Sequence, residues 1–168
     1  MFAIIFITLF FLIIIVLVIV AVFGSKKDKQ KQQIDLMKKK KDDKVSKENS
    51  IKVIFKLFLL VDIVSKDLKN FKPSIGIKSI GDINNSALQV IKNLYNSEEV
   101  KKIYLIPERE NELKPILEEL KKVKPAKWEE QAFFSVNVIR NKAESLLHSN
   151  KKNQKLFKEI KREFKYSE

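Results

Sequence analysis

The feature that most constrains this chain is an apolar run of 22 residues, from Phe2 to Phe23, without one charged side chain. Nineteen of these residues are Ile, Leu, Val or Phe. With a rise of ~1.5 Å per residue, a helix of this length spans roughly 33 Å, and the hydrocarbon layer of a bilayer is ~30 Å thick. A buried helix of a soluble protein does not need such uniform apolarity. The sequence therefore predicts a transmembrane anchor over residues 1–24.

A cleaved secretory signal is the alternative interpretation of this run. Such signals carry a basic n-region, an apolar core of ~7–15 residues and small residues before the cleavage site. Here no Lys or Arg precedes the run, the run is longer than such a core, and Val22-Phe23-Gly24 resembles a cleavage site poorly. We therefore expect an uncleaved anchor, with a secreted helical domain behind a cleaved signal as the alternative.

The charges that flank the run predict its orientation. Lys26, Lys27, Lys29 and Lys31 follow it closely, whereas no charged side chain precedes it. Because lysine-rich flanks stay on the cytoplasmic side, we expect a single-pass protein of the cell membrane. Its N-terminus would lie outside, and its C-terminal domain would face the cytoplasm.

Residues 25–50 are lysine-rich and contain only four strongly apolar residues. They carry ten Lys against five Asp or Glu, which is too polar a composition to bury a core. We interpret them as a basic juxtamembrane linker, either a solvated helix or a loose tether. A stop-transfer spacer is the simpler role; attraction to anionic lipid, at about 1 kcal/mol per cation, is the other.

The composition changes after Ser50, and residues 51–64 contain only three charged side chains. On a 3.6-residue period, Val53, Leu57, Leu60 and Val64 share one side. This pattern predicts the central helix of a globular domain, and an interfacial helix lying on the bilayer is the alternative. We favour the central helix because later segments supply apolar faces that can pack on it.

The rest of the chain alternates between turn and helix signals. Residues 72–85 hold Pro73, Gly76 and Gly81 and predict a loop. Helices are predicted over about 86–95, 98–106, 108–123, 126–148 and 152–166, with Phe133, Phe134, Phe157 and Phe164 in the core. The predicted fold is all-α: an anchor, a linker, and a compact multi-helix soluble domain over residues 51–168.

Residues that carry catalytic or metal chemistry are scarce in this sequence. It contains no cysteine and one histidine, His148, so the familiar zinc ligand sets and Cys–His nucleophilic pairs cannot form. The many glutamates stand in first helical turns or beside lysines, as surface residues do. We therefore predict no catalytic residue, no metal site, no cofactor and no enzymatic activity.

The charge balance points instead to binding. The net charge is +13, and the segment 151–168 holds seven cations against three acids. Arginine occurs only three times, so specific nucleic-acid recognition is not expected. The candidate contacts with an anionic surface are Lys26, Lys27, Lys29, Lys31, Lys38, Lys39, Lys40, Lys41, Lys151, Lys152, Lys155, Lys158, Lys161, Arg162 and Lys165.

Two functional hypotheses follow from the sequence. The first is a membrane-anchored, non-enzymatic interaction or scaffold module with a protein partner that the sequence does not identify. Tethering such a domain to a membrane raises its effective concentration for partners that lie there. The second is a protein that binds an anionic surface, lipid headgroups or nucleic acid, through the lysines named above.

Overall fold

The computed structural model describes the backbone of residues 2–71 and 79–164, and the side chains of residues 31–71 and 79–164. All of the secondary structure in these ranges is helical, which confirms the predicted all-α class. The helices are α1 (Phe2–Lys69), α2 (Ile80–Tyr95), α3 (Glu98–Ile103), α4 (Pro107–Lys122), a 3-10 helix (Pro125–Lys127), α5 (Trp128–Gln131), α6 (Phe133–Ser149) and α7 (Lys151–Glu163).

The chain divides into two compact units, Met1–Lys41 and Asp42–Glu168. Across residues 31–71 and 79–164, no helix is both long enough and apolar enough to cross a membrane. The predicted anchor, residues 1–24, lies outside the residues whose side chains are described. The same holds for residues 25–30 at the start of the predicted linker.

Residues 31–41, which we call the lysine-rich arm, belong to α1 and are exposed on every side. Lys and Gln favour helix without needing a packed face. Residues 31–41 therefore form a solvated helix, which is one of the two conformations predicted for the linker, and not a loose tether. Even Ile34, Leu36 and Met37 remain exposed, because they are too few to form an apolar face.

Residues 51–64, which we call the core segment, are the part of α1 that the other helices surround. The predicted stripe of Val53, Leu57, Leu60 and Val64 is buried, which confirms the central-helix interpretation. Phe55 and Leu59, which lie off that stripe, are buried as well. The buried residues of the segment are Val53, Ile54, Phe55, Leu57, Leu59, Leu60, Val61 and Val64.

The short helices pack on one another around the core segment, with α2 beside α4, α4 beside α6 and α6 beside α7. The Phe157 ring of α7 meets the Phe55 ring edge-on, with 5.1 Å between ring centroids. The Lys56 ammonium forms an ion pair with Glu99 of α3 at 2.7 Å. Contacts on several sides explain why the apolar residues of this segment are not confined to one stripe.

The compact C-terminal unit begins at Asp42, before the predicted boundary at residue 51. Ser46 is fully buried, and its hydroxyl donates a hydrogen bond to the Ile103 carbonyl oxygen at 3.2 Å. Arg109 of α4 binds the Asp43 carboxylate at 2.8 Å. These polar contacts hold residues 42–50 against α3 and α4, and a hydrophobic pattern does not detect them.

The loop predicted over residues 72–85 is wrong from Ile80 onward, where α2 begins. The Ser79 hydroxyl oxygen accepts a hydrogen bond from the Asp82 backbone N–H, and the Asp82 carboxylate accepts one from the Ser79 N–H. This reciprocal cap satisfies two N–H groups at the helix start. The cap outweighs the turn signal of Gly81. The first part of the predicted loop, residues 72–78, lies outside the residues that the structure describes.

Two prolines lie in α4, Pro107 and Pro115. Pro107, which lies between the helices predicted over residues 98–106 and 108–123, is in the first turn of α4, where its missing N–H costs no hydrogen bond. Pro115 lies inside α4 and is exposed. The apolar side chains Leu113, Ile116, Leu117 and Leu120 of this helix are buried.

The single helix predicted over residues 126–148 is divided at Ala132, which separates α5 from α6. The Trp128 indole N–H donates to the Leu120 and Val123 carbonyl oxygens at 3.1 and 3.0 Å and fixes α5 against the end of α4. Beyond the division, Ser135, Val136, Ile139 and Ala143 are buried. With these residues on the buried side of α6, its first two residues, Phe133 and Phe134, face outward.

The prediction that Phe133 and Phe134 belong to the core is therefore wrong, since these side chains are 62% and 74% exposed. Phe157 and Phe164 are half-buried and pack against the core as predicted. In α7 the Asn150 side chain caps the start of the helix, and Ile160, near its other end, is buried.

Candidate functional site

A groove with a volume of about 460 Å³ lies between three helices: α4, α6 and residues 47–54 of α1. We call it the α1/α4/α6 groove. Five apolar side chains contribute to its lining: Ile51, Ile54, Leu113, Ile116 and Leu146. Its polar lining consists of Lys47, Ser50, Arg109, Glu112, Asn141, Lys142 and Ser145. Two further clefts, one between α1 and α7 and one between α1, α2, α3 and α7, measure about 330 Å³ each.

Two ion pairs stand at the edges of this groove and join its helices. Arg109 binds Asp43 of α1 through the carboxylate at 2.8 Å and through the backbone carbonyl oxygen at 2.7 Å. Lys142 of α6 binds Glu112 of α4 at 2.6 Å. Lys47 forms no ion pair with any residue that the structure describes. Two cations of the groove, Arg109 and Lys142, are therefore in ion pairs, and the third, Lys47, is not paired with any described residue.

On both α1 and α4, a cation precedes the apolar residues that line the groove. On α1, Lys47 comes one turn before Ile51 and two turns before Ile54; on α4, Arg109 comes one turn before Leu113 and two before Ile116. The Arg109–Asp43 ion pair brings the cationic ends of both helices together. On α6, which runs antiparallel to α4, the order is reversed, so Leu146 lies toward the end with Lys47 and Arg109 and Asn141 toward the end with Ile54 and Ile116.

A second surface feature is a row of cations on α7. At ~100° per residue, positions 151, 155, 158 and 162 fall within about 60° of one another around the helix. Their side chains are exposed, and the buried Asn153 and Ile160 lie on the opposite side of the helix. The row of Lys151, Lys155, Lys158 and Arg162, which we call the α7 cation row, therefore faces away from the core.

The predicted anionic-surface contacts divide into three groups. Lys31, Lys38, Lys39, Lys40 and Lys41 are exposed on the lysine-rich arm; Lys151, Lys152, Lys155, Lys158, Lys161 and Arg162 are exposed on α7. Lys26, Lys27, Lys29 and Lys165 lie outside the residues whose side chains are described. On α7, Lys152 contacts Glu48 at 3.4 Å and Lys155 contacts Glu159 at 4.0 Å.

Many carboxylates in the described ranges form ion pairs with lysine or arginine. Glu129 accepts hydrogen bonds from both Arg140 and Ser65, and these contacts lower the pKa of its carboxyl group, the Arg140 hydrogen bond most. The hydrogen bond from Lys101 lowers the pKa of Glu98 in the same way. His148 is exposed at the end of α6. These contacts agree with the prediction that the glutamates are surface ion-pair partners.

Tyr104 carries a buried hydroxyl that has no hydrogen-bond partner within the described ranges. Burial raises its pKa to about 12, so the hydroxyl stays protonated at neutral pH. No group of three or more His, Cys, Asp or Glu side chains that could hold a metal ion occurs in residues 31–71 and 79–164.

Comparison with known proteins adds no family to these observations. No protein-family model matches the chain, and neither the curated proteins nor the solved structures contain a significant match.

The sequence interpretation did not single out the residues of the α1/α4/α6 groove. Lys47 falls within the predicted linker, and no sequence pattern marks Arg109 or Lys142 as members of a site. A usable signal was the recurrence on α1 and α4 of a cation followed by apolar residues four and seven positions later. That signal acquires meaning only when the two helices are known to be neighbours.

Proposed function

We propose that this protein is a single-pass, membrane-anchored, non-enzymatic binding module whose helical domain faces the cytoplasm. The anchor is supported by the uncharged apolar run from Phe2 to Phe23, and the orientation by the lysines that follow it. The binding role rests on one observation, the α1/α4/α6 groove with its apolar lining and cationic end. Concave, mostly apolar sites with a few convergent polar groups are typical of ligand sites.

The chemistry of the groove favours binding over catalysis. Its charged groups are Lys47, Arg109, Lys142 and Glu112, and the last three take part in ion pairs that join helices. The lining also contains no histidine, the side chain used most often for general acid–base catalysis. Cations beside apolar side chains instead attract a ligand that is both apolar and anionic.

Protease access in intact cells tests the membrane part of the proposal. With the N-terminus outside, protease added externally should leave residues 42–168 intact until the cells are permeabilised. Alkaline carbonate should leave the full chain in the membrane fraction. Digestion from outside, or extraction by carbonate, would contradict the anchored arrangement.

Site-directed photocrosslinking in cells tests the binding part. A benzophenone amino acid placed at Ser145, in the groove, should give a covalent adduct with a bound molecule. The same amino acid at His148, which is exposed on the same helix but outside the groove, should not. Equal adduct formation at both positions, or none at position 145, would contradict a ligand site in the groove.

A second candidate function, binding to an anionic lipid surface, is favoured by the α7 cation row. Four aligned cations on the outer side of a helix can approach a flat surface together, at about 1 kcal/mol per cation. Replacing Lys151, Lys155 and Lys158 by Gln should weaken binding of the full chain to anionic vesicles on the order of 100-fold.

The matched control for that experiment replaces Lys102, Lys122 and Lys124, which are equally exposed but lie outside α7, by Gln. This variant has the same net charge as the α7 variant, and we expect it to bind nearly as well as the parent. An equal loss in both variants would show that overall charge, not the α7 cation row, determines binding.

A further inference from the structure

The side of α6 that lines the α1/α4/α6 groove continues beyond it to an exposed phenylalanine. At ~100° per residue, Phe134, Val138, Asn141 and Ser145 fall within about 60° of one another around the helix. Asn141 and Ser145 line the groove, whereas Val138 is half-buried outside it and Phe134 is 74% exposed. These four residues, which we call the α6 strip, extend the lining of the groove to about 17 Å along the helix.

α4 lies beside the α6 strip and runs in the opposite direction. Two side-chain contacts fix their relative position: Lys142 with Glu112 at 2.6 Å, and Ser135 with Glu119. Ile116 on α4 and Val138 on α6 lie midway between these two contacts, so they are level with one another. Apolar side chains therefore follow one another from the groove to Phe134.

The groove suits one large apolar side chain, and Phe134 provides a second apolar contact. The apolar residues that α1 and α4 contribute to the groove cover about one turn of each helix, and polar side chains stand at both ends. Phe134 lies on α6 two to three turns from this apolar patch, or about 12 Å away. Apolar residues at positions i, i+4 and i+8 of a partner helix would reach both contacts.

The secondary structure of this surface favours a helix as the partner element. An extended segment binds by adding to the unpaired edge of a sheet, and the ranges that the structure describes contain no strand. α1, α4 and α6 present side chains, because their backbone groups are bonded within each helix. A partner helix satisfies its own backbone hydrogen bonds and needs only side-chain contacts with such a surface.

The cations at one end of the groove indicate the charge of that helix. Lys47 is exposed and forms no ion pair with any described residue. Arg109 uses two nitrogens on Asp43, and a guanidinium has five N–H donors, so further donors are free for a partner. An acidic side chain one turn beyond the apolar residue in the groove would accept hydrogen bonds from these cations.

We propose that the α1/α4/α6 groove and the α6 strip together bind an amphipathic helix of a partner protein. One large apolar side chain of that helix occupies the groove, a second packs on Phe134, and an acidic residue pairs with Lys47. This inference rests on the proposed binding function of the groove and names the kind of partner.

Photocrosslinking in cells at two positions of α6 tests the partner. A benzophenone amino acid at Phe134, and in a second variant at Ser145, should give adducts with the same protein. Mass spectrometry should place the two crosslinked residues about eight to eleven positions apart in one segment of that protein. The segment should carry Asp or Glu about one turn beyond the residue crosslinked from position 145. The same amino acid at Phe133, ~100° away from Phe134 around α6, should give little adduct.

The crosslinked segment, synthesised as a fluorescent peptide, measures the contribution of each contact. Its anisotropy would be followed with the full chain in nanodiscs of neutral lipid. Phe134→Ala should weaken binding on the order of 30-fold, and Lys47→Gln on the order of tenfold. The matched controls Phe133→Ala and Lys52→Gln, on the same helices but outside the α6 strip and the groove, should bind as the parent does. Circular dichroism melts of the four variants would establish that each is folded.

Adducts from positions 134 and 145 with different proteins, with lipid or with a second copy of this chain would overturn the proposal. So would a protein adduct at position 145 without one at 134, or equal peptide binding by Phe134→Ala and Phe133→Ala. A small-molecule adduct at position 145 without a protein adduct would overturn the partner helix but keep the binding module. The absence of any adduct at position 145 would instead contradict the binding module itself.

Discussion

The lysine-rich arm and the core segment belong to the same helix, α1, but differ completely in burial. Residues 31–41 are all exposed, including Ile34 at 65%, Leu36 at 58% and Met37 at 71%. In the core segment, Leu57 and Leu60 have no exposed surface. Helical backbone alone therefore says nothing about burial.

The difference arises from the number and spacing of apolar residues. The lysine-rich arm has three apolar residues among five lysines, so it has no continuous apolar face. The core segment has apolar residues at nearly every position, and helices α2–α7 supply surfaces that cover them. Local propensity is sufficient to form the first kind of helix, while packing determines the stability of the second.

Replacing a leucine by aspartate, once in the core segment and once in the lysine-rich arm, should give the largest difference in stability. Leu57→Asp buries an unpaired charge among apolar side chains, and we expect a loss of several kcal/mol, enough to unfold the domain. Leu36→Asp places the same charge in water and should change stability by less than ~0.5 kcal/mol. Thermal melts by circular dichroism would measure both, and similar melting temperatures would refute the contrast.

The second prediction uses phenylalanine. Phe55→Ala should destabilise the domain by about 3–5 kcal/mol, because it leaves a cavity and removes the edge-on contact with Phe157. Phe134→Ala removes the same side chain from an exposed position and should change the free energy of unfolding little. Urea denaturation would measure the free energy of unfolding of both variants. If Phe134→Ala lost as much stability as Phe55→Ala, Phe134 would have to be covered in solution.

A smaller effect tests how far the core extends along α1 toward the lysine-rich arm. Ser46→Ala removes the buried hydrogen bond to the Ile103 carbonyl oxygen and should cost about 1 kcal/mol. Ser145→Ala, at an exposed position, is the control. If Ser46→Ala and its control unfold at the same urea concentration, residues 42–50 are not held as described.

The smallest predicted effect concerns the polar contacts at the end of the core segment. Arg140 and Ser65 lower the pKa of Glu129, so this contact stabilises the fold fully above the unfolded pKa of ~4.3 and is lost as the pH falls through the folded pKa. Because Glu129 is 46% exposed, solvent screening limits the contribution to about 0.2–1 kcal/mol. Glu129→Gln should therefore be less stable than the parent at pH 7, by that amount.

The same variant should come closer to the stability of the parent at pH 3 than at pH 7, because the stabilisation by the Glu129 contact is lost as the pH falls below the unfolded pKa and through the lowered pKa of the folded state. Urea unfolding at both pH values would measure the two differences. An equal difference at pH 7 and pH 3 would rule out ionisation of Glu129 as its source.

Much of the fold could be predicted from residue spacing. The stripes through Val53 and Leu57 on α1, Leu113 and Leu117 on α4, and Ile139 on α6 are buried as their periods indicate. The errors lie where a specific hydrogen bond outweighs the pattern. Ser79 starts α2 within a predicted loop, and the fixed position of Trp128 accompanies a division at Ala132 that leaves Phe133 exposed.

The candidate site was less predictable than the fold. Its residues come from α1, α4 and α6, which are far apart in sequence, and nothing local marks Lys47 or Arg109 as members of one site. The cations of α7 could be predicted, because four of them follow a helical period on a single element.

By itself, the sequence determined the all-α class, the apolar faces of the helices and the excess of positive charge, because these depend on residue type and spacing within one segment. Only the tertiary structure decided that the core segment is buried on several sides, that Phe133 and Phe134 are exposed, and that Lys47 and Arg109 lie at one end of a groove. These features depend on which helices are neighbours, and that follows from the packing of the whole domain.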